Sequence, residues 1–270
     1  MRRKFKSIFV GVVIVLCLSF VFSMCLNLFS PKTTTENNES KKQDSSNTEI
    51  NEFEEKTISF LGDSITTFDG WSNNPSMNTT LGNNTYYYDS TKMSVDETYW
   101  MRVIDSTGMK LCVNNSSDGA RVSDTRPNLT SGIDRAMQLH NDVDNIIPDV
   151  IIVYLGTNDL AHEVSLEEFM DAYEKMLNNI KEYYPNAEVY CCTILPESRT
   201  ENLGTLRSAY NTAIRSLADD AGFEIIDFAS SLARRWKYNL CTFEDDNLRV
   251  HPTSGGMEYL AQTIINQLLK

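Results

Sequence analysis

Asp149-Val150-Ile151-Ile152-Val153-Tyr154-Leu155 is apolar from its second residue to its last and stops at Gly156-Thr157-Asn158-Asp159. A strand with one face in water alternates polar and apolar side chains. A run without alternation is covered on both faces, as a central strand of a parallel sheet is. Outward from this run, strand-like and helix-like stretches alternate. Upstream, Thr57 to Leu61 reads as a buried strand, residues 97–106 as a helix closed by Gly108, Lys110 to Val113 as a short strand, and residues 132–139 as a helix. Downstream, a helix begins at Ser165, with Glu168 as its capping-box partner, and runs to Tyr184 before Pro185. Strands at 187–194 and 223–227 and helices at 203–221, 229–236 and 253–269 complete the pattern. Such alternation predicts an α/β domain with a parallel sheet and helices on both faces.

The domain spans residues 57–270, enough for one sizeable core. Before it lie two segments of other character. Arg2, Arg3, Lys4 and Lys6 precede Ile8 to Phe29, a stretch without a charged residue. It is long enough to cross a bilayer as a helix, which takes roughly 20 residues. Residues 1–30 therefore read as a single-pass membrane anchor with its basic end inside and the domain outside the cell. A cleaved signal segment and secretion are the alternative, although no small-x-small site stands near its end and Phe22-Ser23-Met24 makes a poor lipobox before Cys25. Residues 31–56 are rich in Thr, Asn, Glu, Ser and Lys and read as a disordered tether. The net charge of −13 and pI near 4.7 argue against a nucleic-acid partner, which requires a basic face. Cys112, Cys191, Cys192 and Cys241 show no zinc spacing and read as core residues, with one bridge to Cys241 left open.

Chemistry gathers where the predicted strands end. Gly62-Asp63-Ser64 follows the first strand, Asn114 to Arg121 the second, and Gly156-Thr157-Asn158-Asp159 the third; His251-Pro252 sits in a late loop. Ligands of open α/β sheets bind outside the carboxyl ends of the strands. A serine hydroxyl needs a base to become a nucleophile, histidine is the usual base near neutral pH, and the oxyanion formed on an attacked carbonyl needs donors fixed in advance. His140 and His162 read as structural or solvent-facing. The segment from Thr66 to Asp96 has no periodicity and carries Trp71 and Tyr86-Tyr87-Tyr88. Leaving the first strand's carboxyl end, it should lie beside Ser64 and offer aromatic faces to a substrate.

The four blocks, in this order, resemble those of the SGNH (GDSL) hydrolase superfamily, and the likeness spans nearly the whole domain. It implies a flavodoxin-like three-layer α/β/α sandwich around a central parallel sheet. It also implies ester hydrolysis through an acyl-enzyme, without a metal or other cofactor. Carried over by position, Ser64 is the nucleophile and first oxyanion donor, Gly119 and Asn158 the other donors, and His251 the base. One position departs from the family: three residues before His251, where an aspartate is usual, stands Leu248. Either Asp246 orients the histidine from slightly upstream or a backbone carbonyl does so in a dyad.

These readings lead to an outward-facing serine esterase acting on a small-molecule or polysaccharide ester, O-acetyl groups on carbohydrate foremost. An acyltransferase using the same site and a catalytically silent carbohydrate-binding domain are the alternatives.

Overall fold

The computed structural model describes residues 52–72, 85–88, 93–123, 131–195, 203–231 and 250–270. Five strands, β1 (Thr57–Gly62), β2 (Lys110–Ser116), β3 (Val150–Tyr154), β4 (Glu188–Cys192) and β5 (Glu224–Ile226), form one parallel sheet in the order β2-β1-β3-β4-β5. Helices α1 (Tyr99–Thr107), α2 (Gly132–Arg135), α3 (Thr157–Ala161), α4 (Leu166–Tyr183), α5 (Gly204–Ala221), α6 (Phe228–Ser231) and α7 (Ser254–Leu268) connect and flank it.

The alternation of a strand's side chains sorts the core into two layers. Ile58, Phe60, Ile152, Tyr154 and Cys192 face one side, against Trp100 and Val103 of α1 and Met257, Leu260 and Ile264 of α7. Leu61, Ile151, Val153 and Cys191 face the other, against Phe169, Tyr173, Met176 and Ile180 of α4 and Tyr210 and Ile214 of α5. Neighbouring Cys191 and Cys192 thus lie on opposite faces, both as free thiols, and burial pushes the Cys191 thiol up to about 12. Cys241 lies outside the described residues. Polar side chains fix the helix starts: Thr98 accepts from the Met101 N–H, Ser165 from Glu168 and Thr253 from Gly256. At Ser165 only this half of the expected capping box forms.

Two elements differ in extent from their sequence reading. β2 continues three residues past Val113: Asn114, Asn115 and Ser116 pair with Phe60, Leu61 and Gly62 of β1. Their polarity suggests a turn, yet all three are buried, and Asn114 and Asn115 donate to backbone carbonyls, Asn114 to Thr66 and Asn115 to Arg135 and Gln138. Conversely α2 stops at Arg135 rather than 139. The backbone beyond it is captured by side chains instead of the next helical turn. The Leu139 N–H donates to the Tyr184 hydroxyl at 2.7 Å, and the Leu139 carbonyl accepts from Ser59 at 2.7 Å. α3, a turn by sequence, is a short helix.

Residues 1–51, which hold the expected anchor and most of the expected tether, lie outside the described residues. Among the described residues no helix is long and apolar enough to cross a membrane.

Candidate active site

The strand order reverses between β1 and β3, because the chain passes from β1 to β2 on one side and then crosses to β3 on the other. A crevice opens at such a reversal, outside the carboxyl ends of the strands. Ser64 follows β1, and Asn158 lies in the first turn of the helix after β3.

The turn after β1 is tight and internally bonded. Asp63 caps a single 3-10 turn, Ser64–Thr66, by accepting from the Ile65 N–H at 3.0 Å. A Cβ on Gly62 would lie 2.2 Å from the Thr66 hydroxyl oxygen, so the chain can double back here only over a glycine. Thr66 in turn shares a hydrogen bond with the Tyr99 hydroxyl at 2.8 Å. Ser64, only 4% exposed, is presented at the crown of this turn.

His251 meets it from 187 residues away, with Nε2 2.9 Å from Ser64 Oγ. With the ring proton on Nδ1, that contact is a hydrogen bond from the serine hydroxyl to the imidazole. The chain just after the histidine is fastened twice. The Tyr87 hydroxyl donates to the Pro252 carbonyl at 2.9 Å, and Arg102 of α1 donates to Ser254 at 3.0 Å and pairs with Glu258 at the start of α7.

Gly119 and Asn158 sit together. Gly119 adopts φ +68°, a left-handed conformation that favours glycine, and its N–H has no hydrogen-bond partner among the described residues. One amide hydrogen of Asn158 goes to the carbonyl of Ala120 at 3.1 Å, which holds its side chain against the Gly119 loop and leaves the second hydrogen to donate elsewhere. Gly156 stands at the N-cap of this short helix, and Asn158 lies inside its first turn.

Three further residues, none of them assigned a step of the reaction, hold this arrangement. Asp159 is fully buried and accepts from the Val122 and Ser123 N–H groups and the Ser123 hydroxyl, at 2.9, 3.0 and 2.7 Å, so the loop after β2 hangs from the block after β3. Arg135, 1% exposed, donates through Nη1 to the Gly62 and Asn115 carbonyls at 2.9 and 2.7 Å and ties the ends of β1 and β2 together. Asp63 is buried beside Ser64. Burial pushes its carboxyl up to about 7 against the opposing pull of the Ile65 N–H and of Arg135. Asp159 was within reach of the sequence, as the last letter of its block; nothing in the sequence marked Arg135.

The expected aromatic set divides. Trp71 and Tyr88 are each 44% exposed. Tyr87 is a correction: it is fully buried, packed in the core by its ring and held at its hydroxyl by Pro252, so it has no surface for a substrate. Tyr86 stacks on His251, ring centroids 3.3 Å apart and planes 12° apart. His140 bonds to Tyr184 and pairs with Asp142, remote from this crevice in a structural role. Asp246 and Leu248 lie outside the described residues.

The chain is similar to known proteins along most of its length. Residues 60–259 match the family model described as GDSL-like Lipase/Acylhydrolase family. The solved structure of a protein described as a GDSL-like lipase from Bacteroides ovatus is 25% identical, with a TM-score of 0.59 over 79% of this chain and 97% of that one. A counterpart from Bacteroides uniformis, 24% identical, has the same fold, with a TM-score of 0.54 over 79% of this chain and 95% of that one. Cellulase/esterase CelE of Acetivibrio thermocellus is 27% identical over 145 residues, 51% of this chain; the matched part spans only 17% of CelE. Since the family match runs from the first strand into the last helix, the chain belongs to the GDSL-like Lipase/Acylhydrolase family and is a hydrolase of the SGNH type.

Proposed function

We propose that the protein is an extracytoplasmic serine esterase that removes short acyl groups, O-acetyl foremost, from carbohydrate. Residues 1–30 hold it to the outer face of the cell membrane. Supporting the chemistry above all is the 2.9 Å contact between His251 Nε2 and Ser64 Oγ, made across 187 residues of chain.

In this reading the imidazole takes the hydroxyl proton as Oγ attacks the ester carbonyl. The carbonyl π electrons move to the oxygen, which the N–H groups of Ser64 and Gly119 and the second amide hydrogen of Asn158 receive. Collapse of the tetrahedral species expels the alcohol, protonated by the imidazolium, and leaves the acyl group on Ser64. Water, deprotonated by the same histidine, then releases the acid and restores the serine. Asp246, or a backbone carbonyl, orients the ring.

Carbohydrate as the alcohol part draws on weaker support: Trp71 and Tyr88 offer aromatic faces of the kind that sugar rings stack on, and the CelE relative carries both cellulase and esterase in its name. The outward location draws on the uncharged run from Ile8 to Phe29 behind its basic start.

The purified protein should release p-nitrophenol from p-nitrophenyl acetate and acetate from acetylated xylan faster than it clears long acyl chains. Ser64→Ala should reduce both rates to background. A variant of undiminished activity ends the assignment of Ser64, and a preference for long chains ends that of the substrate.

A further inference from the structure

The geometry points to Tyr86 as a positioning residue for the base: its ring lies flat on His251 and holds the imidazole in line with Ser64 while stabilising the imidazolium formed during attack. The inference rests on the reading of Ser64 and His251 as nucleophile and base.

Two observations carry it. First, the contact is a face-on stack, 3.3 Å between centroids and 12° between planes, whereas neighbouring Tyr87 meets the same imidazole edge-on at 6.2 Å and 86°. The face of a phenol ring carries the negative end of its quadrupole, so it attracts the imidazole more once that ring is protonated. Second, Tyr86 is bonded to the nucleophile's own turn. Its N–H donates to Thr67 Oγ1 at 2.9 Å, and Thr67 Oγ1–H donates to the Ser64 carbonyl at 2.8 Å. The plate that covers the base is therefore registered to the serine it must serve, and the Tyr87 hydroxyl fixes Pro252 beside the base.

The step it assists is the transfer of the Ser64 proton to Nε2 as Oγ bonds to the carbonyl carbon. The attraction grows as the ring gains its proton, so it acts on the transition state and not on substrate binding.

The test compares Tyr86→Phe, Tyr86→Leu and phenylalanines of increasing fluorine content at position 86, ending with pentafluorophenylalanine, in the full-length protein. Fluorination drains the ring face while nearly preserving its shape, so it separates electronics from packing even if Tyr86→Leu fails to fold. Tyr86→Phe should keep kcat within about threefold, and the pentafluoro ring should lower kcat about tenfold with KM unchanged, as expected for a lost cation–π attraction. Labelling of Ser64 by a fluorophosphonate should slow in step. A flat kcat across the series overturns the role of Tyr86 while active wild-type protein keeps its nucleophile and base. Wild-type protein that neither hydrolyses esters nor labels at Ser64 overturns both.

Discussion

The two ends of the sheet treat polar groups in opposite ways. At the amino ends charges meet in water: Lys56 pairs with Glu188 at 2.9 Å and Lys110 with Glu55 at 3.3 Å, all four side chains at least a quarter exposed. A groove of about 910 Å³ opens there, lined by Phe53, Lys56, Lys181 and Glu224 among others. At the carboxyl ends Asp63, Ser64, Thr67, Asn115, Arg135, Asp159 and His251 are all buried. Burying a polar group costs free energy unless a partner is supplied, so every one of them needs fixed neighbours. The open groove thus marks the end whose ion pairs stay in water, while the crowded end carries dipoles that need not reorganise when a charge forms. Volume alone would have chosen the wrong end.

If that contrast is right, the heaviest loss comes from Arg135. In Arg135→Met the Gly62 and Asn115 carbonyls lose a donor and Asp63 loses its cationic neighbour. Buried acceptors that lose a donor cost about 1–3 kcal/mol each, Gly62 keeping only the Ser117 N–H at 3.4 Å, and the loss of the cation near the buried Asp63 carboxyl adds to that, so about 5 kcal/mol should disappear. For a domain of this size the melting temperature should drop by about 10–20 °C in calorimetry. A drop of a degree or two would erase the difference between the two ends.

Asp63 sharpens the contrast through pH. Burial holds its carboxyl up at about 7 in the folded protein, well above the ordinary carboxylate range it has in the unfolded chain. Below the unfolded value both states hold the proton and the stability contribution is complete. As pH rises the unfolded chain gives up its proton first, so stability drains away up to about pH 7, by on the order of 4 kcal/mol as an upper limit. Asp63→Asn has no such proton and keeps an oxygen to accept the Ile65 N–H. Its melting temperature relative to wild type should therefore climb between pH 4 and pH 8. A constant difference across that range would mean that Asp63 titrates like a surface carboxylate.

How far the sequence could be read follows the same division. The buried central strand announced itself by composition, and the α/β alternation followed from it. Ser64, Gly119, Asn158 and His251 stood out because the four blocks that carry them, in that order, resemble those of the SGNH hydrolases. What stayed hidden was long-range polar satisfaction. Asn114 to Ser116 look like a turn until Thr66, Arg135 and Gln138 supply their partners, and residues 136–139 look helical until Ser59 and Tyr184 claim the backbone. Arg135 reads as any helix-surface arginine. Tyr86 and Tyr87, adjacent and identical in type, part company only in three dimensions, where one stacks on His251 and the other is buried against Pro252. Periodicity encodes local geometry, whereas these partners lie up to 165 residues apart.

The smallest effect belongs to the amino ends. Lys56→Ala removes an ion pair whose side chains are 26% and 50% exposed, together with a lysine lying 5.0 Å over the Phe53 ring. Water solvates Glu188 as soon as the lysine is gone, so no charge is left stranded, and exposed pairs of this kind contribute about 0–1 kcal/mol. Urea denaturation should show a loss within that range, shrinking further at high salt because the interaction is screened. Ester hydrolysis should be unchanged, since Lys56 lies at the opposite end of β1 from Ser64. A Lys56→Ala loss matching that of Arg135→Met would mean that the amino ends are wired as tightly as the carboxyl ends, and polar burial would then no longer single out the end where the chemistry sits.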